Sequence, residues 1–266
     1  QRDMVNGVQS CELNLTVPHV ECFNDKSVFM EMFKQYIKRD WISLNGLAFD
    51  DFCSFLGNKE RFVVKPIVGS QGIGVQKIDV RQDMSRLELY QELRNQYHDN
   101  GLLEAWIHQH PSMSGFFADS VNCIRIITIL DDRKFYPIVA NITFGVDDNQ
   151  IANASFGGIV VEVDIDSGVV ISDGAKFDTD PNPRHPNSGK PFKGFQIPFW
   201  KETLIMLEEA SRVVPEVGYI GWDVAITQEG PVIIEGNTTP GYTYFQIPSI
   251  LPDKVGTFSK YRAFLA

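Results

Sequence analysis

GWDVAITQEGPVIIEGNTTPG, residues 221–241, holds two apolar runs on either side of a polar turn near Glu229-Gly230. Runs of this kind, rich in Val and Ile and broken by a glycine turn, predict a hairpin over 219–227 and 231–236. With the turn centred on Glu229, Asp223 lies opposite Glu235, where Cβ atoms stand roughly 4.5–5.5 Å apart. Asn237, two residues further on, shares the face of Glu235. Two carboxylates and an amide then converge among apolar neighbours. Charges held that close repel, and burying them unpaired is costly. A hard divalent cation relieves both problems, and an all-oxygen donor set selects Mg²⁺ or Mn²⁺. The competing reading is a solvated edge with incidental acids, which the apolar flanks disfavour.

A second stretch upstream suits the same ligand. Phe62-Val-Val-Lys65-Pro-Ile-Val68 runs into Gly69-Ser70-Gln71-Gly72-Ile73-Gly74. Glycines at 69, 72 and 74 let the backbone bend and approach a ligand without Cβ interference. Successive N–H groups in such a turn make an anion-binding concavity, and Lys65 adds a point charge. The spacing is neither a Walker P-loop nor a dinucleotide fingerprint. Taken alone, a strand, glycine turn and strand is more often an ordinary hairpin.

Between and around these stretches the order is α/β with mostly antiparallel strands, not a β-α-β alternation. Residues 25–42 carry a helical stripe of Phe29, Met32, Phe33, Tyr36 and Ile37. A strand over 60–68 and a charged helix over 84–99 follow. Next come strands in 101–108, 122–130, 135–145, 158–165 and 168–174. A long loop fills 176–198, and a helix covers 199–213. Leu102–His110 has polar groups at both ends: either a half-buried edge strand, or a seat for adenine against the backbone and Glu104, with Gln109 or His110 at the ribose. Arg125 sits among Ile124, Ile126 and Ile127 and needs an anion, supplied by a salt bridge or a triphosphate. Asn153 to Gly158 is a tight turn, and His185 is either a base or a solvated loop histidine.

Composition narrows the classes. The chain has 266 residues and a formal charge of −10, which argues against a general nucleic-acid binder. Four cysteines without C-x-x-C spacing suit reduced thiols in a cytoplasm rather than a disulfide framework or zinc site. No apolar run approaches the roughly 20 residues of a membrane span, and the first residues are too polar for a signal peptide.

Seven strings in order resemble the ATP-grasp superfamily, and most closely its sugar-transfer-associated branch. They are VVKPIVGSQGIGV, LLEAWIHQHPSM, SVNCIRIITIL, NASFGGIVVEVDIDSG, HPNSGKPFKG, IPFW and GWDVAITQEGPVIIEGNTTPG. The last is also similar to the end of D-alanine–D-alanine ligases, and the Arg125 and Asn153–Gly158 segments to protein and peptide glutamate ligases. The resemblance implies two lobes with mostly antiparallel sheets gripping ATP: a helical segment at 1–59, a small lobe at 60–115 and a large lobe at 116–266. It implies that Lys26 and Lys65 meet phosphates under a flap of Gly69, Ser70, Gln71, Gly72 and Gly74. Glu104, Trp106, Ile107, Gln109 and His110 would line the adenosine. Arg125 would neutralise the γ-phosphate, Asp223, Glu235 and Asn237 would hold two Mg²⁺ ions, and Asn153 and His185 would border the acceptor. The implied activity is a carboxylate–amine ligase using a small carboxylate or sugar-linked acceptor, with a phosphotransferase acting on a hydroxyl as the alternative. Two departures stand out: residues 1–59 read as helical where many such ligases carry a βαβ unit. Gly221 also stands where D-alanine-type ligases carry an arginine.

Overall fold

The computed structural model describes residues 20–69, 72–81, 83–147, 157–176, 180–248, 250–251 and 256–264. Two antiparallel sheets face each other across a cleft. The smaller is built from β1 (Trp41–Ser43), β2 (Arg61–Pro66), β3 (Gln76–Asp79) and β4 (Gly101–Ala105), in the order β1-β4-β2-β3. The larger holds β5 (Cys123–Asp131), β6 (Lys134–Phe144), β7 (Ile159–Val163), β8 (Tyr219–Thr227) and β9 (Gly230–Asn237), in the order β7-β6-β5-β8-β9.

Alternation decides which face of each strand is buried. In the small sheet Phe62, Val64 and Leu103 turn to a core closed by the helices Phe49–Leu56 and Arg86–Tyr97. The opposite face carries Val63, Lys65 and Glu104, so the charged pair projects into the cleft. In the large sheet Ile124, Ile126, Trp222 and Val224 pack on one face, against the helix Trp200–Ser211. The β5–β6 turn takes positive φ at both Asp132 and Arg133, the geometry that matches strand twist.

The N-terminal stretch differs from its expected single helix. It forms three short pieces, Glu21–Asn24, Lys26–Met32 and Lys34–Ile37, with Asp25 capping the second through Ser27 and Val28 amides. Their aromatic stripe packs on the large sheet, where Phe23 and Phe33 meet Trp222 edge-on at 6.3 and 5.6 Å. Lys38 then turns left-handed (φ 51°) and the chain crosses to the small sheet as β1. Residues 20–37 therefore belong with the large lobe, and 41–56 with the small lobe. Among the described residues, no helix is long and apolar enough to cross a membrane.

Candidate active site

The hairpin places its acids together, for a reason the sequence did not reveal. The ladder runs Thr227↔Gly230, Ala225↔Val232 and Val224↔Ile233, so the turn is two residues long and centred between Gln228 and Glu229. Continued without interruption, that register would set Ile234 opposite Asp223 and turn Glu235 to the other face. A bulge beyond Val224 absorbs Ile234 and restores the pairing Asp223↔Glu235 and Gly221↔Asn237. Asn237 Nδ2 lies 3.4 Å from Glu235 Oε1, confirming that both share a face.

Arg125 completes this group. It stands opposite Asp223 across β5–β8, and its Nε and Nη2 donate to the two carboxylate oxygens, the latter at 2.7 Å. Both functions left open for Arg125, salt bridge and phosphate clamp, start from this position. Glu235 is held above the ordinary carboxylate range, first by burial and then by the Asp223 charge, with Lys65 and Arg125 opposing. Burial also pushes the neighbouring Cys123 thiol well up.

Across the cleft, Lys65 and Glu104 sit diagonally on adjacent strands, since Lys65 pairs with Leu102 and Glu104 with Val63. The Lys65 ammonium contacts Glu104 Oε1, and Arg39 takes Oε2 through Nε at 2.8 Å. Burial would raise this carboxyl, but the Arg39 and Lys65 charges lower it to about 2. Glu104 thus serves as anion to two buried cations at the wall of the cleft. Lys26 enters from the start of its helix, with Nζ 2.7 Å from the Gly69 carbonyl. Burial lowers its pKa, while Glu235 pulls it up and Lys65 pushes it down, which puts all three within electrostatic reach.

The cleft is lined by Lys65, Gly69, Gly72, Ile73, Glu104, Trp106 and Ile107 of the small lobe, by Lys26 and Arg39, and by Cys123, Asp223 and Glu235 of the large lobe. Gly74 holds φ +76° below the flap. Three expected positions fall elsewhere. Gln109 is buried, accepting from Asn122 N and donating to Ser120 O, both at 2.8 Å, so it shapes a loop instead of meeting a ribose. His110 caps the short helix Pro111–Ser114 through Ser112. His185 is fully buried in an aromatic cluster with Phe116, Phe144 and Phe192, its Nε2 2.8 Å from Gly145 O. It is a core residue, buried although the loop residues on either side of it, 180–184 and 186–191, are exposed. Ser70, Gln71 and Asn153 lie outside the described residues. Arg39, missed in the sequence, lies in the middle of the site; only its short distance from the hydrophobic stripe could have marked it.

The donor set fits a hard cation. Among the described residues no cluster of three or more His, Cys, Asp or Glu forms. For a cation, Asp223, Glu235 and the Asn237 amide would be the protein ligands, leaving further positions to water and phosphate oxygens, as Mg²⁺ prefers. Asp223 is paired with Arg125, and the half-buried Glu235, pushed toward its neutral form by burial and the Asp223 charge, is the acid such an ion would relieve.

The sequence profile of the sugar-transfer associated ATP-grasp family matches residues 19–255. The chain belongs to that family. Solved structures of ligases show likenesses of fold. D-alanyl-alanine synthetase A from Vibrio cholerae O1 biovar eltor superposes with a TM-score of 0.52 at 11% identity, over 91% of this chain and 63% of that one. A D-alanine–D-alanine ligase from Bacillus anthracis matches at 0.47 and 17% identity, over 83% of this chain and 58% of the other. An L-amino acid ligase from Bacillus licheniformis matches at 0.47 and 13%, over 82% and 41%. This ATP-grasp chain spans 41–63% of the length of those three proteins. No curated protein sequence matches it.

Proposed function

We propose that the protein is an ATP- and Mg²⁺-dependent ligase that activates a carboxylate as an acyl phosphate for attack by an amine. The observation behind this reading is the bulge-set pair Asp223 and Glu235 facing Lys65, Lys26 and the glycine flap across one cleft. Lys26 and Lys65 supply positive charge for the phosphates, and flap N–H groups complete an anion seat. Trp106 and Ile107 offer the apolar wall for a base. Arg125, already held beside the acids, is positioned to neutralise the transferring phosphoryl group. Bound Mg²⁺ would polarise the γ-phosphoryl oxygens and orient the triphosphate for in-line attack.

In the first step a carboxylate oxygen attacks the γ-phosphorus and the bond to the β-phosphate oxygen breaks, releasing ADP. In the second an amine attacks the acyl carbon, inorganic phosphate leaves, and the amine proton passes to solvent. The acceptor is a small carboxylate or a sugar-linked one, the field implied by the family's association with sugar transfer. The test is ADP release in a screen of carboxylates and amines, with mass spectrometry of the products. The ligase requires two co-substrates for full turnover; a stable phosphorylated hydroxyl product instead identifies a phosphotransferase. Asp223→Ala and Glu235→Ala are expected to abolish turnover, and unchanged rates in both would remove the metal assignment.

A further inference from the structure

Arg39 connects the two halves of the cleft. It follows the left-handed Lys38, where the chain leaves the large lobe for the small one, and its side chain is only 6% exposed. One edge of the guanidinium grips Glu104, the carboxylate that also holds Lys65. The other reaches 194 residues along the chain to donate from Nη1 to Ile233 O at 2.8 Å, and Nη2 approaches Ile234 O at 3.3 Å. Those two carbonyls flank the bulge that turns Glu235 toward Asp223. An extra residue in one strand loses its ladder partner, and a buried carbonyl without a donor is costly. A planar fork of five N–H donors satisfies two carbonyls and a carboxylate at once; an ammonium cannot span them.

We propose that Arg39 is a positioning residue. It stabilises the bulged register that puts Glu235 on the cation-facing side of β9, and it fixes Glu104 beneath Lys65 from the same guanidinium. The acids of one lobe and the phosphate lysine of the other are thereby held in a single relative placement. Arg39 lines the cleft, but its donors are committed to protein oxygens. The functional half of this inference rests on the reading that Asp223 and Glu235 take a divalent cation with the nucleotide.

The experiment compares the wild-type chain with Arg39→Met and Arg39→Lys in two assays. Hydrogen–deuterium exchange on the nucleotide-free chain is expected to quicken at least about tenfold for amides 233–237 in Arg39→Met, while those of β5 keep their protection. Calorimetric binding of a non-hydrolysable ATP analogue, with Mg²⁺ and with EDTA, is expected to lose about tenfold of its Mg²⁺-dependent enhancement, with metal-free affinity changed by less than about threefold. Arg39→Lys falls between the two, and it decides the matter if Arg39→Met does not fold. Unaltered exchange at 233–237 overturns the proposal, as does faster exchange with the Mg²⁺ enhancement intact. If the wild-type chain binds no analogue at all, the ligase reading fails, and the exchange measurement still decides whether Arg39 holds the bulge.

Discussion

Replacing Glu104 by glutamine leaves two cations, Lys65 and Arg39, in a site where their side chains are 8% and 6% exposed. Water cannot take the place of the lost anion there. Removing one partner of a buried ion pair costs about 3–5 kcal/mol. For a chain of this size each kcal/mol lowers Tm by about 2–4 °C, so the drop should be about 6–20 °C near neutral pH. The pH dependence has a definite sign. The Arg39 and Lys65 charges overcome burial and lower the Glu104 carboxyl from 4.5 to about 2. An acid lowered in the fold contributes stability above its ordinary range, and that contribution is lost as pH falls toward the folded value. At 1.36 kcal/mol per pH unit, the wild-type advantage should shrink by about 2 kcal/mol between pH 4.5 and pH 3. Urea denaturation followed by tryptophan fluorescence at pH 7, 5, 4 and 3 measures both quantities. Equal stability of the two chains at pH 7 would refute the reasoning, and so would a gap that stays constant below pH 4.5.

Lys65→Ala should weaken binding of a non-hydrolysable ATP analogue by at least about tenfold in calorimetry; an unaltered affinity removes its phosphate role. Gly74→Ala forces a side chain into φ +76° with its Cβ 2.8 Å from Pro66 Cγ, at a cost of about 1–3 kcal/mol. Its urea midpoint should fall accordingly, and an unchanged midpoint contradicts the strained turn. His185→Gln should lower Tm but leave turnover per folded molecule intact, whereas lost turnover with normal nucleotide binding would restore a catalytic role. Burial lowers the His185 pKa, so the wild-type fold loses stability as pH falls below about 6.5. In the glutamine variant that slope should flatten.

Several features of the site were legible from residue types alone. Apolar flanks around Asp223 and Glu235, glycines after Lys65 and an arginine inside an isoleucine run each violate what an ordinary strand or turn needs. Those violations pointed to the cleft lined by Lys65, Asp223 and Glu235, and the family resemblance added Lys26, Trp106 and Ile107, which line it too. Gln109, His110 and His185 were misjudged because a polar side chain near a strand end, or in a proline-rich stretch, was assumed to face solvent or ligand. Their hydrogen bonds run instead to loop and backbone groups, which local spacing does not encode. The two cations paired with Glu104 were not legible, because both come from other strands or segments.

By itself, the sequence determined most of the strand and helix order from residue 84 onward, save a strand expected at 168–174 that makes only isolated bridges, and the chemistry of the candidate ligands, since periods of 2 and 3.6 are local properties of the backbone. Only the tertiary structure decided that Asp223 and Glu235 share a face. A straight ladder from the observed turn would have separated them. The bulge that unites them has carbonyls satisfied by Arg39, almost two hundred residues away in the chain. Register across a bulge depends on which distant donor reaches the freed backbone, and no period within the hairpin records that partner.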